Sequence, residues 1–336
     1  MKQWVEDVIR RKEVTAMPVM THPGIEMNAH TVREAVSNGR IHAEAVERLT
    51  KTYPSVAACT IMDLTTEAEA FGAEIAFSDD AVPAVVGHML TDVESINQLQ
   101  IPSLHAGRIP QYLKANLLAA KSQKLTANSQ KPLFAGCIGP FSLAGRLYDM
   151  SAIMMLIYEN PDAAHTLLAK CTQFIEKYCQ ALKQTGANGV LMAEPAAGLM
   201  SNDDCLNFSS AYVKYIINKV QDENFIVILH NCGNTGQCTQ AMVSTGAAAY
   251  HFGNKCQMEE VIRDVPPTAL AMGTIDPVSV FKDGTPEEMR QAVFDLLEKM
   301  RDYPNFVLSS GCDTPPHTPI ENINAFFEAL NEWNHR

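Results

Sequence analysis

Apolar positions along the chain fall into short continuous runs separated by amphipathic stretches, and this alternation predicts the elements. Eight runs read as buried strands: Thr15–Met20, Ala57–Met62, Leu133–Ile138, Gly189–Ala193, Phe225–Leu229, Ala248–Phe252, Ala269–Gly273 and Phe306–Ser309. Most are apolar at successive positions, the pattern of a parallel strand covered on both faces. Between most of them apolar residues recur at helical spacing, as in Pro161–Gln184 and Thr285–Arg301. Eight strands, each followed by a helix, predict an α/β protein folded as a TIM (β/α)8 barrel. An open doubly wound sheet would need a glycine-rich phosphate turn after an early strand, and "GTIDPVSV" is not one. Residues 1–14 read as a helix placed before the barrel. The long stretch Leu64–Lys131 after the second strand reads as a helical insertion over the barrel mouth. Residues 1–336 read as a single domain without linker or repeat.

Composition changes this picture little but excludes several classes. Of 336 residues, 46% are hydrophobic and 19% charged, as in an ordinary soluble globular protein. A net charge of −12 with no Lys/Arg stripe argues against nucleic acid as a partner. No run reaches the roughly 18–20 apolar residues of a membrane span, and the start "MKQWVEDVIRRKEV" is charged and amphipathic, so a cytoplasmic location and no membrane partner are expected. The nine cysteines are scattered and odd in number, which favours free thiols or metal ligands over a disulfide framework. Cys171 and Cys179 lie inside a helical pattern and are expected to pack as small hydrophobes.

In a TIM barrel the chemistry gathers at the C-terminal ends of the strands. Here those ends carry His22 and Glu26 after the first strand, Asp63 after the second, Gly139 after the third and Glu194 after the fourth. His230 and Cys232 follow the fifth strand in "LHNCGNTGQC", with Asn234 two positions on. His251, Asn254 and Cys256 follow the sixth, Asp276 the seventh and Cys312 the eighth. His230, Cys232 and Cys312 form the sharpest subset. An imidazole and two thiols can meet across the mouth, and three N/S ligands with an open fourth position are the pattern of catalytic zinc. The plainer reading is two buried thiols and a core histidine. A fourth ligand is not decided among Cys256, His251, Glu194 and Asp276, while Cys238 is expected to pack. Asp63 fits a helix N-cap as well as a site residue. Asp276 before Pro277 fits a turn, and a His-Pro pair such as His22-Pro23 is a turn more often than a ligand.

With these residues in place the chain resembles the uroporphyrinogen decarboxylase superfamily, and within it the methylcobamide:coenzyme M methyltransferases. The matching stretches are "MDLTTEAEAFGAEI", "GPFSLAGRL", "AEPAAGLMS", "LHNCGNT", "MGTIDP" and "SSGCDTPPHTPIENINAF", in order along almost the whole sequence. The resemblance implies a Zn2+ held by His230, Cys232 and Cys312. It also implies a methyl group taken from a methylated corrinoid (methylcobalamin-type) carried on a partner protein. The methyl acceptor is expected to be a small molecule: the thiol of coenzyme M, tetrahydrofolate or another thiol. Glu194, Asp276, Asp63 and Asn254 are the candidates for acid or polar work at the acceptor; His22, Gly139 and Asn234 are those for contact with the flat cofactor, Gly139 by leaving room. Two alternatives stand: a decarboxylase-like enzyme and a non-catalytic zinc- or corrinoid-binding relative. Against the first, "MTHPGIEMNAHT" lacks the arginines with which the decarboxylases hold substrate carboxylates. A fourth firm ligand would favour the second.

Overall fold

A computed structural model describes residues 1–125 and 131–336 of the chain. Its main sheet has eight strands: β1 (Thr15–Ala16), β2 (Ala58–Cys59), β5 (Leu133–Ile138), β6 (Gly189–Ala193), β7 (Ile226–Asn231), β8 (Ala249–Phe252), β9 (Leu270–Ile275) and β10 (Phe306–Ser310). All neighbours pair in parallel in the order β1-β10-β9-β8-β7-β6-β5-β2. The two ends meet where the Val56 amide donates to the Ala16 carbonyl at 2.8 Å, so the curled sheet is a TIM barrel with helices around it. β3 (Glu74–Ala76) and β4 (Ala84–Val86) form a separate antiparallel hairpin.

Every expected barrel strand is present, but the first two are shorter than their apolar runs. Side chains take over the ladder there. The Val19 amide donates to Ser310 Oγ and the Thr21 amide to Asp313 Oδ1, while the Ile61 amide is met by His42 Nε2. These bonds satisfy the backbone without strand geometry. The insertion differs from expectation in a second way. It contains the helices Thr66–Phe71, Val93–Gln98 and Ile109–Leu125, and also the β3–β4 hairpin, whose strands are three residues each and largely exposed.

Strand parity builds two cores. Phe134, Leu191, Ile226, Ile228, Ala249, Leu270, Met272 and Val307 face one another inside the barrel, and Val5 and Val8 of the helix Lys2–Arg10 pack into the same cluster. Residues of opposite parity, such as Val190, Val227, Leu229, Tyr250 and Leu308, pack outward against the helices. The helix Pro161–Gln184 contributes Phe174, Tyr178, Cys171 and Cys179 to that outer core, all fully buried. Continuing the inward parity by two residues along β7, β8 and β10 puts His230, His251 and Ser309 in the uppermost interior layer. The fold therefore brings these three polar side chains together at the C-terminal end of the barrel.

Candidate metal centre

His230 is the penultimate residue of β7, and its parity turns the imidazole into the barrel mouth. Cys232 follows two residues later, and Cys312 lies two residues past the end of β10. The ligand atoms of these three residues fall within 4.8 Å of one another, with Cys312 Sγ 3.8 Å from His230 Nε2. Among the described residues no fourth His, Cys, Asp or Glu joins this cluster. His230 is 1% exposed, whereas both cysteines are partly open. The close approach of the Cys232 backbone depends on Gly253: a Cβ there would stand 2.6 Å from Cys232 Cα.

The two thiols are electrostatically unequal. A hydrogen bond from Cys312 holds the Cys232 thiol below its ordinary value, against the opposing effect of burial and with Lys255 adding positive charge. The same bond, together with burial, raises Cys312. A soft imidazole–dithiol set in which one thiol is already inclined to ionise suits zinc. Behind it, His230 Nδ1 lies 2.8 Å from His251 Nδ1, His251 Nε2 lies 2.8 Å from Ser309 Oγ, and the Ser309 hydroxyl donates to the Met17 carbonyl at 2.7 Å.

The other expected site residues are placed differently. Asp63 is a structural node: its Oδ1 accepts from the Thr65 and Thr66 amides and hydroxyls, while its Oδ2 is held by Arg108 and by the Tyr112 hydroxyl at 2.5 Å. Burial alone would raise this carboxyl, but the Arg108 guanidinium, then Tyr112 and Thr65, hold it below the usual carboxylate range. Glu194 does not cap the helix after its own strand. It reaches across to Pro140–Tyr148, where Oε1 accepts from the Phe141 and Ser142 amides at 3.0 and 3.3 Å and Oε2 accepts from Ser209 at 2.8 Å. Burial pushes Glu194 up to about 7. Gly139 is the reason it fits, since a Cβ there would stand 2.0 Å from Glu194 Oε1. The room expected beside Gly139 for a flat ligand is thus filled by this carboxyl.

Asn234 is fully buried and holds the turn after β7. Its Oδ1 accepts from the Gly236 and Cys238 amides, and its Nδ2 donates to Thr239 and Met242, so the side chain is fully engaged within the fold. Asp276 and Asn254 come together, with Asn254 Nδ2 donating to Asp276 Oδ2 at 2.6 Å, but Oδ1 of Asp276 caps the Val278 and Ser279 amides. Cys256 donates to the Asn234 carbonyl at 2.9 Å and lies outside the ligand cluster. Cys238 is fully buried, as expected of a packing residue.

His22 is 4% exposed and its Nδ1 bonds the Thr314 carbonyl at 2.9 Å, leaving Nε2 buried and unpartnered. Glu26 ties the first loop to the last by accepting from the His317 amide. Ser309, Arg108 and Tyr112 were not singled out by the sequence; neither was Glu67, whose Oε1 accepts from the Ile138 amide and which burial raises to about 7.

Comparison with known proteins follows the same outline. A family model described as uroporphyrinogen decarboxylase (URO-D) matches residues 2–333. The methylcobamide:CoM methyltransferase MtbA of Methanosarcina mazei is 29% identical over 275 residues, 81% of this chain and 78% of that protein. A uroporphyrinogen decarboxylase of Legionella pneumophila is 26% identical over 303 residues, 88% of this chain and 84% of that one. Among solved structures, a methyltransferase from Methanosarcina mazei superposes with a TM-score of 0.87 at 22% identity, covering 99% of this chain and 98% of its own. A B12-independent methionine synthase from Shewanella sp. gives 0.59 at 14% identity, covering 95% and 98%. Both likenesses concern the fold.

Proposed function

The chain belongs to the uroporphyrinogen decarboxylase (URO-D) family, and within it we propose a zinc-dependent methyltransferase that moves a methyl group from a methylated corrinoid to a small thiol. The observation that carries this reading is the convergence of His230, Cys232 and Cys312 with no fourth ligating side chain among the described residues. Three ligands hold an ion and leave one face for an acceptor.

A zinc ion held there supplies Lewis acidity, lowering the pKa of an entering thiol so that the thiolate, the form that attacks carbon, is present near neutral pH. The protein's own residues supply the rest. Cys232 and Cys312 present two thiolates and His230 a neutral ring, so the ligand set balances a divalent ion. With a methylated corrinoid as donor, a sulfur–carbon bond would form as the donor's bond to the methyl group breaks, and the electron pair of that bond would leave with the donor. The corrinoid provides this leaving group, and the barrel mouth provides orientation. Among the described residues several polar groups remain for acceptor contacts, including His22 Nε2 and Asn231 Nδ2, both buried without a partner, and the half-buried Arg146, which has no hydrogen bond or ion pair. The relative MtbA, named for methylcobamide:CoM methyl transfer, supports a thiol acceptor over tetrahydrofolate.

Decarboxylation is disfavoured by Asp63. The resemblance puts it at the decarboxylases' mechanistic aspartate, yet both of its oxygens are engaged by Arg108, Tyr112 and the Thr65-Thr66 turn. The test is the absorbance of free methylcob(III)alamin with zinc-loaded protein and coenzyme M, homocysteine or tetrahydrofolate. Thiol-dependent demethylation is expected, abolished by a chelator and by Cys312→Ser. Demethylation that survives metal removal, or one supported by tetrahydrofolate alone, contradicts the proposal.

A further inference from the structure

We propose that His251 and Ser309 are positioning residues that lock His230 in the Nδ1–H tautomer, whose bare Nε2 faces Cys312, an inference that rests on the zinc reading above. The argument starts at the far end of the relay. The Met17 carbonyl can only accept, so the single hydroxyl hydrogen of Ser309 must lie on their 2.7 Å contact. Ser309 Oγ is then the acceptor in its 2.8 Å contact with His251 Nε2, which must carry a hydrogen.

His251 is 1% exposed and among the described residues its ring bonds only His230 and Ser309, so an imidazolium there would be a buried charge without a counter-ion among them. The ring is therefore neutral and its Nδ1 is a bare lone pair. The 2.8 Å contact between the two Nδ1 atoms then requires His230 Nδ1–H to donate. His230 Nε2 is left bare, and it is this nitrogen that faces Cys312. Reversing any one hydrogen bond would point an N–H at the metal position.

The relay ends on a carbonyl rather than a carboxylate. It orients the ligand without adding negative charge, so a zinc ion with two thiolates and this ring sums to zero. The hydrogen bonds cross from β7 to β8 to β10 and on to the segment after β1, so the ring is fixed by the barrel interior and not by its own loop.

The test uses the metal-free full-length protein with ¹⁵N-labelled histidine. His230 is expected to show a protonated Nδ1 and bare Nε2, and His251 the opposite pattern. The reverse tautomer, or a mixture, at His230 would overturn the proposal. Zinc affinity from chelator competition supplies the second readout. His251→Leu should weaken binding by about 10–100-fold, while His251→Asn, which offers an oxygen where Nδ1 stands, should retain most of the affinity. Equal losses in the two variants, with unchanged unfolding transitions, would also overturn it. Absence of zinc binding by the wild type would count against the metal reading, and the ¹⁵N pattern would still decide the tautomer.

Discussion

Asp63 and Arg108 form a buried charge pair, and their variants separate a structural role from a site role. Arg108 is 7% exposed and also bonds Glu69 at 2.6 Å, Thr65 and the Val36 carbonyl. Arg108→Met should destabilise the fold by about 3–5 kcal/mol in urea titration, because it strands a buried carboxylate. A loss of well under 1 kcal/mol would show that the pair matters little. Glu194 gives a prediction in pH. Its folded value of about 7 lies above the ordinary 4.5, so the folded state holds a proton that the unfolded state has already released. That contribution is complete below about pH 4.5 and is lost as pH rises to about 7, at a slope of at most roughly 1.4 kcal/mol per pH unit. Glu194→Gln can keep the three hydrogen bonds and should flatten part of the decline between these limits; Glu67, raised to the same value, keeps its own share. An unchanged slope would contradict the assignment. Neither Arg108 nor Glu67 was legible in the sequence, since Arg108 meets Asp63 across a sequence separation of 45 that leaves no periodic trace.

Elements were read more easily than the contacts between them. Strands apolar on both faces cannot be mistaken for surface segments, and all eight were found within a few residues of their runs. Their trimmed ends and the β3–β4 hairpin were not legible. The first depend on side chains such as Ser310 and His42 replacing ladder bonds, and the second on strands too short to show alternation. Ser309 was read only as the end of a strand, because inward parity gains meaning only when His251 lies opposite. The β8 loop offers a test at this scale. A methyl group at Gly253 meets Cys232 backbone rather than a flexible side chain, so Gly253→Ala should displace the cysteine and weaken zinc binding about 10-fold. Far-UV circular dichroism should be unchanged. Full affinity in this variant would mean that the loop adapts and the close approach is incidental.

Across the whole molecule, one end of the barrel is plugged and the other is built for chemistry. Val5 and Val8 of the first helix pack into the inner core, and at the C-terminal ends of the strands the interior takes up His230, His251 and Ser309. The convergence of His230, Cys232 and Cys312 as a candidate metal cluster was legible because the three residues sit at strand mouths, where position as well as residue type carries information. Asn234 and Gly139 sit there too, yet one serves its own turn and the other makes space for Glu194. Among the described residues no helix is long and apolar enough to cross a membrane. The central claim is a three-ligand metal centre whose fourth position receives a thiol, and X-ray absorption at the zinc edge tests it most directly. The zinc-loaded protein should show two sulfur ligands, one imidazole nitrogen and one light atom, and adding the acceptor thiol should replace the light atom with a third sulfur. Four protein ligands that stay unchanged when the thiol is added would contradict it.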